Sequence, residues 1–592
     1  MTARPDGDAG RVRWRVALPL AVALGGIGCL AAWVLLRLIW FVTNLLFWHR
    51  VGFASAEAHA APWASAPWTV LILAAGGLVA GLAIRYGHAS LAGHGIPEVM
   101  EAVALREGRI PPRVAGLKPL CAALVIGTGG PFGAEGPIIQ TGGAVGSLLG
   151  QLVSVTAAER KVLLACGAAA GMAATFNTPL AGVVLAIELL LFEFKSRSFI
   201  PLVIASTVAT SLSAALFHRG PLFHVTSVHF GLPQAMPAYL LLGLICGLAA
   251  VGFTRLLFWA EDRFESIRIS PILLPAIGGL GLGVIAYFVP RVLGVGYDTI
   301  NAILNGSLPL TLLVAVMVAK AAALVVSLAS GTSGGLLAPL FMSSAALGAV
   351  YGELVRLIFP ALGADPNAFA LAALGAVFGA ASRASFTFII FAFEITQDYR
   401  AVLPVMLVAV VANLVAVRWL PNSVMTEKLI RRGRRVASDY EVDIMGAAQV
   451  ADVMAKDFPA AEAATPIAEV LSALRQRPHP RAGLLVLSAE QELIGVTTRK
   501  ELEQAVGEGR GERPLAELAH PPVVAYPDET LRQAIFKMIA QHVGRLPVVE
   551  RNAPGRPIGY LGRSEILEAR RKLLEEEVQP EPGWLSLRRP SS

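Results

Sequence analysis

Charge is scarce in this sequence. Aspartate, glutamate, lysine and arginine make up 15% of the 592 residues, whereas 55% are hydrophobic. A soluble protein of this length could not bury that much apolar surface. Five apolar runs approach or exceed the ~20 residues that a helix needs to cross a bilayer: Val16–Trp40, Trp68–Ala83, Ala238–Phe258, Leu310–Leu328 and Ala401–Trp419. The sequence therefore predicts a polytopic α-helical membrane protein.

Cysteine is also scarce, and the motifs of common enzyme sites are missing. The four cysteines lie in apolar segments without C-x-x-C spacing, so we expect packing residues and predict neither a disulfide framework nor a metal site. The sequence contains no H-E-x-x-H zinc motif and no nucleophile motif with a histidine partner. An intramembrane enzyme is therefore disfavoured, and we predict a protein that is not an enzyme and requires no cofactor.

Positive charge gathers at the ends of apolar segments. Arg11, Arg13 and Arg15 precede the first run, which is too long for a signal peptide, so residues 1–15 are predicted to be a cytoplasmic N-terminal segment. Further basic residues mark other cytoplasmic edges: Arg106, Arg109, Arg113, Lys118, Arg431, Arg432, Arg434 and Arg435. We therefore attribute the net charge of +7 to basic residues that flank membrane helices on the cytoplasmic side of the cell membrane. We expect no nucleic-acid partner.

The composition changes sharply near residue 433. We predict a transmembrane domain over residues 16–432 and a linker over 433–447, followed by soluble sequence. Two similar soluble units, 448–512 and 513–574, each show the order helix, strand, strand, helix. The tail, residues 575–592, is rich in glutamate and proline and is predicted to be disordered.

The membrane part repeats itself. Gly167–Glu188 resembles Gly375–Glu394, and the glycine-rich break Gly127–Pro137 has a counterpart at Ser330–Pro339. Two halves with interrupted apolar segments in corresponding positions are typical of transporters built from repeats, whose broken helices meet at a midplane site. The alternative is that the small residues only allow close helix packing.

Three breaks are each followed by a helix start: Gly93–Val99, Gly133–Ile139 and Gly334–Phe341. Their glycines permit unusual dihedrals, and a proline stands near each first helical turn, where its missing N–H costs nothing. Free N–H groups at helix starts favour anions, so three converging starts would cradle one. No lysine or arginine lies within these breaks, which favours weak binding and release.

One carboxylate, Glu135, stands in the second break, just before the expected helix start at Gly136. Because it has the same charge as a permeating anion, it could occupy an anion position, and protonation would release it. This interpretation makes Glu135 a gate and a proton acceptor. The alternative is a helix-capping carboxylate at the membrane surface.

These breaks and their carboxylate resemble the CLC family of chloride channels and chloride/proton antiporters. "GHGIPE", "GAEGP", "GGLLAP" and "GAAAGMAATFNTPLAG" match its signatures over Arg11 to about Gly433, and the soluble units resemble CBS domains. The resemblance implies a polytopic all-α membrane protein of two inverted repeats with broken helices, followed by a soluble α+β CBS pair. It also implies a homodimer in the lipid bilayer, with one anion pathway per subunit and Glu135 as the external gate.

The expected anion site departs from the family pattern. His94 replaces a serine, Leu337 a phenylalanine and Met425 an inner tyrosine, so the backbone N–H groups near Gly95, Gly136, Leu336 and Leu337 would carry most of the coordination. His94 could donate a hydrogen bond or, when protonated, add positive charge and make transport sensitive to pH. The alternative is a neutral, space-filling histidine. Chloride is expected, and nitrate, bicarbonate or fluoride remain open.

The internal proton acceptor of the family's antiporters falls on Leu189, which cannot carry a proton. Glu188 and Glu193 are the nearest substitutes, so we place Glu135 and Glu188 on a candidate proton pathway. The sequence favours a pathway gated by Glu135 that is uncoupled or weakly coupled to protons. A stoichiometric chloride/proton antiporter is the alternative, because water can carry protons past a missing side chain.

The soluble units offer a candidate nucleotide site. The resemblance to CBS pairs implies that Thr498 and Glu501 in the first unit and Glu565 in the second contact the ribose of an adenine nucleotide. Gly562 replaces the second threonine, and a dimerisation module without ligand is the alternative. A CBS-bearing cation transporter is disfavoured, because it would need rings of intramembrane carboxylates.

Overall fold

The chain forms two compact units, one among the described residues up to 433 and one among those from 448 to 578. The computed structural model describes residues 14–433, apart from 218–221, 224, 226 and 227, and residues 448–578, apart from 477–482. The predictions for residues 1–13, for the linker beyond 433 and for the tail beyond 578 lie outside the described residues. Helix α23 continues to Val578, beyond the end at 574 that we expected for the second soluble unit.

The first unit is helical. Within its described residues the α-helices are α1 Trp14–Phe47, α2 Pro67–Tyr86, α3 Ile96–Leu105, α4 Pro112–Gly127, α5 Glu135–Leu152, α6 Ala157–Phe176, α7 Pro179–Leu185, α8 Ser196–Phe217, α9 Met236–Glu265, α10 Leu274–Phe288, α11 Tyr297–Leu304, α12 Leu310–Ala329, α13 Leu337–Ile358, α14 Pro366–Ala373, α15 Ala376–Ser382, α16 Ser385–Thr396, α17 Val402–Trp419 and α18 Val424–Arg431. Helix α7 continues as a π-helical turn over Ala186–Leu191.

Seven helical stretches in the described part of the chain are long and apolar enough to cross a membrane. The five predicted runs fall in α1, α2, α9, α12 and α17, and all four cysteines are buried and unbonded as expected. Helix α8 was missed because serine and threonine interrupt its apolar sequence. Two of these hydroxyls bond to backbone carbonyls, Ser206 to Pro179 (2.8 Å) and Ser213 to Ala174 (2.6 Å), and are satisfied in this way.

Two buried lysines occupy matching places in the two repeats. The Lys118 ammonium donates to the carbonyls of Leu91 (3.0 Å) and Gly93 (3.2 Å), just before α3. The Lys320 ammonium donates to those of Val292 (2.8 Å) and Gly294 (2.7 Å), just before α11. Both side chains are fully buried. Lys118 therefore ties a loop inside the unit, and our assignment of it to a cytoplasmic edge was wrong.

Two glutamates link the repeats reciprocally. Glu188 accepts hydrogen bonds from the backbone N–H groups of Phe386 (3.3 Å) and Thr387 (2.7 Å), at the start of α16. Glu394, on α16, accepts from those of Leu180 (2.9 Å) and Ala181 (2.7 Å), at the start of α7. A carboxylate at a helix start satisfies free N–H groups and opposes the helix dipole. Each repeat thus completes a helix of the other.

The second unit contains two α+β halves with separate apolar cores. Its helices are α19 Val450–Val453, α20 Ile467–Gln476, α21 Arg499–Gly507, α22 Leu531–Ala540 and α23 Arg563–Val578. Strands β1 Ala460–Glu462, β2 Gly483–Leu487 and β3 Leu493–Thr498 form one sheet, with β1 parallel and β3 antiparallel to β2. Strands β4 Arg545–Glu550 and β5 Ala553–Gly562 form an antiparallel pair. The predicted order of helix, strand, strand, helix is confirmed in both halves.

Candidate functional site

The three glycine-rich breaks meet inside the first unit and are bonded to one another. Gly133 and Gly335 exchange backbone N–H···O bonds of 3.0 and 3.1 Å. The Gly93 N–H donates to the carbonyl of Thr332 (3.1 Å), and the Gly334 N–H donates to that of Gly93 (3.3 Å). These bonds bring the starts of α3, α5 and α13 together at one place.

Glycine is required where α3 and α5 touch. A Cβ on Gly136 would collide with the carbonyl oxygen of His94, and one on Gly95 would lie 2.5 Å from that of Gly136. Gly95 also has φ +92°, a conformation that side chains disfavour. Its N–H donates to Glu98 Oε2 at 3.1 Å. The Gly95 amide that we expected to be open to an anion is therefore already engaged by a carboxylate.

Glu135 is fully buried where the breaks meet. Its Oε1 accepts a hydrogen bond from the Tyr297 hydroxyl at 3.2 Å. Its Oε2 makes no hydrogen bond of normal geometry within the described ranges, although the backbone N–H groups of Glu135 and Ala338 lie near the carboxyl. Helix α5 begins at Glu135 itself, one residue earlier than expected. Complete burial contradicts the alternative of a capping carboxylate at the membrane surface.

The glycines of two breaks make room for this carboxylate. A Cβ on Gly133 would collide with Glu135 Oε2, and one on Gly335 would lie 2.9 Å from the same oxygen. The carboxylate thus packs against glycine backbone from both repeats, where no side chain intervenes. An oxygen that is negatively charged, buried and surrounded by N–H groups occupies the kind of place that a small anion would take.

Tyr297, which the sequence analysis missed, comes from the second repeat. It is the first residue of α11 and follows Gly296, which has φ +83°. Its ring packs edge-on against Phe176 and Phe223. A signal was present, since "GVGYDT" after Leu293 parallels "GHGIPE" after Ala92, and the matching lysines fix both loops.

His94 is buried and faces cationic side chains. It is 4% exposed, and its Nδ1 has no hydrogen-bond partner among the described residues. The charged groups that act on it belong to Lys428, Lys118 and Arg432. A Cβ on Gly93 would collide with the Lys428 ammonium, and Arg432 reaches Glu98 at 3.4 Å. The breaks contain no cation, but the fold places several beside them.

The other residues expected at the anion site are also buried. Leu336 and Leu337 lie at the start of α13, and Met425 lies in the first turn of α18. Helix α18 packs against α3, and the Ser423 hydroxyl caps it by accepting from the Thr426 N–H (3.2 Å). The structure thus joins the segments of His94, Gly95, Gly136, Leu336 and Leu337, and it sets the helix of Met425 beside them.

The candidate second proton acceptors, Glu188 and Glu193, are already paired. Glu188 Oε2 accepts from the Thr387 hydroxyl (2.6 Å) as well as from the α16 backbone. Leu189 is buried in the same π-helical turn. Glu193 forms ion pairs with Lys195 (3.0 Å) and Arg197 (3.2 Å). Both substitutes for an acid at Leu189 therefore have structural partners.

The residues of the candidate nucleotide site cap helices in the second unit. The Thr498 hydroxyl accepts from the Glu501 N–H (3.2 Å), and Glu501 Oε2 accepts from the Thr498 N–H (2.7 Å). Glu501 Oε1 contacts the His520 imidazole at 2.9 Å. Partial burial acts to raise the pKa of the Glu501 carboxyl, but hydrogen bonds from Thr498, His520 and Thr497 outweigh it, and the net shift is downward.

Glu565 makes the corresponding cap in the other half. Its Oε2 accepts from the Gly562 N–H and the Ser564 hydroxyl, both at 2.9 Å. In each half the acid serves its own helix start, at the carboxyl end of β3 or β5. A ribose hydroxyl would have to share these carboxylates with the caps.

Comparison with known proteins gives consistent relatives. A profile of the family described as "Voltage gated chloride channel" matches residues 76–417, and CBS domain profiles match residues 450–508 and 515–572. A putative chloride channel protein, ClcB-like, of Ralstonia nicotianae is 31% identical over 404 residues, which are 67% of this chain and 93% of that protein. The H(+)/Cl(-) exchange transporter ClcA of Vibrio parahaemolyticus is 30% identical over 336 residues, covering 55% of this chain and 71% of that protein.

A solved structure shares the architecture. The crystal structure of a slow cyanobacterial Cl-/H+ antiporter superposes with a TM-score of 0.60 at 25% identity. The match covers 70% of this chain and 97% of the antiporter.

Proposed function

The chain belongs to the voltage gated chloride channel family, whose members carry anions, and we propose that it moves chloride or a similar small anion past Glu135. One observation carries the proposal. Glu135 is completely buried where both repeats contribute bare backbone, and its Oε2 has no hydrogen-bond partner in the part of the chain that the structure describes. A buried carboxylate without full pairing in a membrane protein marks a functional site.

The gate works because the Glu135 carboxylate and the transported anion carry the same charge and take turns in the same place. With Glu135 ionised, its carboxylate takes the place of an anion and closes the pathway. Tyr297 and, farther away, Lys320 are the titratable side chains that face it. A proton arriving from outside neutralises the carboxylate, which then loses its attraction to the surrounding N–H groups and leaves. An anion can enter, held by partial charges weakly enough to move on.

We further propose that transport is uncoupled from protons or only weakly coupled. Antiport needs a route that delivers protons to Glu135 from inside, and a second acidic side chain is the direct way to provide one. Leu189 cannot serve, Glu188 is held by the start of α16, and Glu193 is held by Lys195 and Arg197. A carboxylate held by several donors cannot swing toward Glu135 without breaking those hydrogen bonds.

Stoichiometric chloride/proton exchange is the second candidate. It is favoured by the activities of two relatives, the H(+)/Cl(-) exchange transporter of Vibrio parahaemolyticus and the cyanobacterial Cl-/H+ antiporter. In that case a chain of water molecules would carry protons past Leu189.

The wider setting of the protein follows the same proposal. It acts as a homodimer in the cell membrane, with the N-terminus and the CBS pair in the cytoplasm. The CBS pair serves as a regulatory module. Because Thr498, Glu501 and Glu565 are engaged in helix caps, adenine nucleotide would bind there only by sharing these groups, and ligand-free association is the alternative.

Proton movement in proteoliposomes tests the coupling. Vesicles with high internal chloride are diluted into low chloride at equal pH, and the external pH is recorded. Chloride efflux through a valinomycin-shunted membrane without proton flux is the expected result. Protons driven uphill by the chloride gradient would establish the antiporter instead. Liposomes without protein, and liposomes containing Glu135→Gln, are the controls.

A further inference from the structure

Three potential metal ligands, distant in sequence, come together beside the gate. Glu57 and His59 lie in the loop between α1 and α2, and Asp298 is the second residue of α11. The His59 Nε2 lies 2.9 Å from Asp298 Oδ2. One ligand atom from each residue lies within 4.8 Å of the other two. Ligand atoms around tetrahedral zinc are about 3.3 Å apart, so small side-chain movements would complete a site.

His59 is buried, and only one of its two ring nitrogens is paired in the described structure. Its side chain is only 8% exposed, and Nδ1 has no hydrogen-bond partner within the described ranges. A buried polar atom without a partner is costly, and native structures rarely keep one without a reason. Nε2 is the ring nitrogen that faces the Asp298 carboxylate, so a cation shared with Asp298 would take the Nε2 lone pair, and Nδ1 would carry the proton. The 2.9 Å between Nε2 and Asp298 Oδ2 is close to the separation of two ligand atoms on one zinc ion.

The local charges permit a divalent cation. Asp298 and, once deprotonated, Glu57 contribute negative charge, and the positive groups that act on them are His59, Lys320 and Arg291. The Lys320 ammonium is held by the carbonyls of Val292 and Gly294 and does not bond to either carboxylate. One imidazole with two carboxylates is a set that zinc accepts, and it leaves a coordination position for water.

The cluster adjoins the gate through Tyr297. Glu57 and Tyr297 line the same cavity of about 150 Å³, together with Thr175, Leu222 and Gly294. Asp298 follows Tyr297 in the first turn of α11, and the Tyr297 hydroxyl bonds to Glu135. An ion bound to Asp298 and to the α1–α2 loop would therefore restrain the start of α11.

We propose that Glu57, His59 and Asp298 form a binding site for a divalent transition metal ion, Zn²⁺ in the first instance, and that a bound ion slows anion passage. The ion ties α11 to the α1–α2 loop and so holds Tyr297 against Glu135. The effect on passage rests on the proposed gating role of Glu135. The binding of the ion does not.

Calorimetric titration of ZnCl₂ into the purified full-length protein tests the site. We expect wild type to bind, and His59→Ala and Asp298→Asn each to weaken binding at least ~10-fold. His49→Ala is the matched control, because His49 lies in the same loop but packs against Trp63, and it should bind like wild type. Unchanged binding in both His59→Ala and Asp298→Asn, or no binding by wild type, overturns the site. Glu57→Gln provides a third variant if either of the others fails to fold.

Chloride efflux from proteoliposomes, with and without external Zn²⁺, tests the consequence. Zinc should slow efflux through wild type and His49→Ala, and it should leave His59→Ala and Asp298→Asn unaffected. Equal inhibition of all four proteins overturns the inference. Zinc that binds at these residues without slowing efflux overturns the restraint on Tyr297. A wild type without chloride flux in the absence of zinc would instead refute the proposed function, and the titration would still decide the site.

Discussion

Glu135 combines two properties that seldom occur together in one side chain, complete burial and an oxygen without a partner in the described structure. Burial of a charge is tolerated when surrounding dipoles replace water. Here those dipoles are backbone N–H groups at two helix starts, one from each repeat. The same surroundings would suit a small anion, and this is the basis of our proposal that Glu135 and the transported anion compete for one place.

Replacing Glu135 by glutamine keeps the size of the side chain and removes its charge. We expect Glu135→Gln to transport anions without response to external pH, because the gate can no longer be ionised. Chloride efflux through the wild-type protein should become faster as the external pH falls. Chloride efflux from proteoliposomes at several external pH values measures this. Retained pH dependence in Glu135→Gln would remove the gating role.

Replacing Tyr297 by phenylalanine removes the hydrogen bond that Glu135 Oε1 accepts. A hydrogen bond to a charged group contributes about 1.5–3 kcal/mol, so the carboxylate should leave its position at least ~10 times more readily. Faster chloride efflux at neutral pH is expected from Tyr297→Phe. Tyr239→Phe is the matched control, since that buried hydroxyl donates to the Phe230 carbonyl, away from Glu135. Equal rates in the two variants would separate Tyr297 from the gate.

Among the helices, the starts of α3, α5 and α13 have the tightest requirements, because backbone meets backbone there. Gly136→Ala would press a methyl group into the His94 carbonyl. Overpacking typically costs about 1–3 kcal/mol, and rigid backbone offers little relief. We expect a clear loss of monodisperse protein in size-exclusion chromatography and a lower melting temperature. Gly116→Ala, in α4 with open space around it, should behave like wild type. Similar stability of the two variants would contradict this packing.

The start of α21 predicts a pH effect in the second unit. The Glu501 pKa is lowered from its ordinary value of 4.5, so its stabilising contribution is complete above that value and is lost as pH falls through the lower folded value. Hydrogen exchange of the α21 amides in full-length protein, corrected for the intrinsic effect of pH, should therefore accelerate below about pH 4.5. Glu501→Gln should show less acceleration. An identical acid response in both proteins would contradict the prediction.

Sequence patterns identified those elements whose signal is local. Long apolar runs predicted α1, α2, α9, α12 and α17, and glycine–proline breaks predicted the starts of α3, α5 and α13. Contacts between distant segments left no such pattern. The bond from Tyr297 to Glu135 spans 162 residues, and the approach of Lys428 to Gly93 depends on how α18 folds back. In the sequence, Lys118 resembled a cation at the edge of a membrane helix. Its carbonyl partners belong to a preceding loop, and only the folded structure shows that this loop passes beside it.

At the scale of the whole molecule, the two compact units carry separate cores. A chain ending at Val436 keeps every residue of the proposed pathway and the lysines and glutamates that tie the repeats. We expect this truncated protein to be monodisperse and to retain chloride efflux in proteoliposomes, with loss only of the regulation that we propose for the CBS pair. Full-length protein in the same lipid is the comparison. Loss of efflux from well-folded truncated protein would show that the CBS pair is needed for transport itself.

The reciprocal bonds of Glu188 and Glu394 also bear on synthesis of the chain. The amide of Thr387, which Glu188 needs, is made 199 residues later. At ~5–20 residues per second, the ribosome takes roughly 10–40 s to reach it. During that interval the first repeat sits in the membrane with an unmatched carboxylate and an uncapped α7. The nascent first repeat therefore needs other hydrogen-bond partners, from lipid headgroups or from the insertion machinery, until the second repeat emerges.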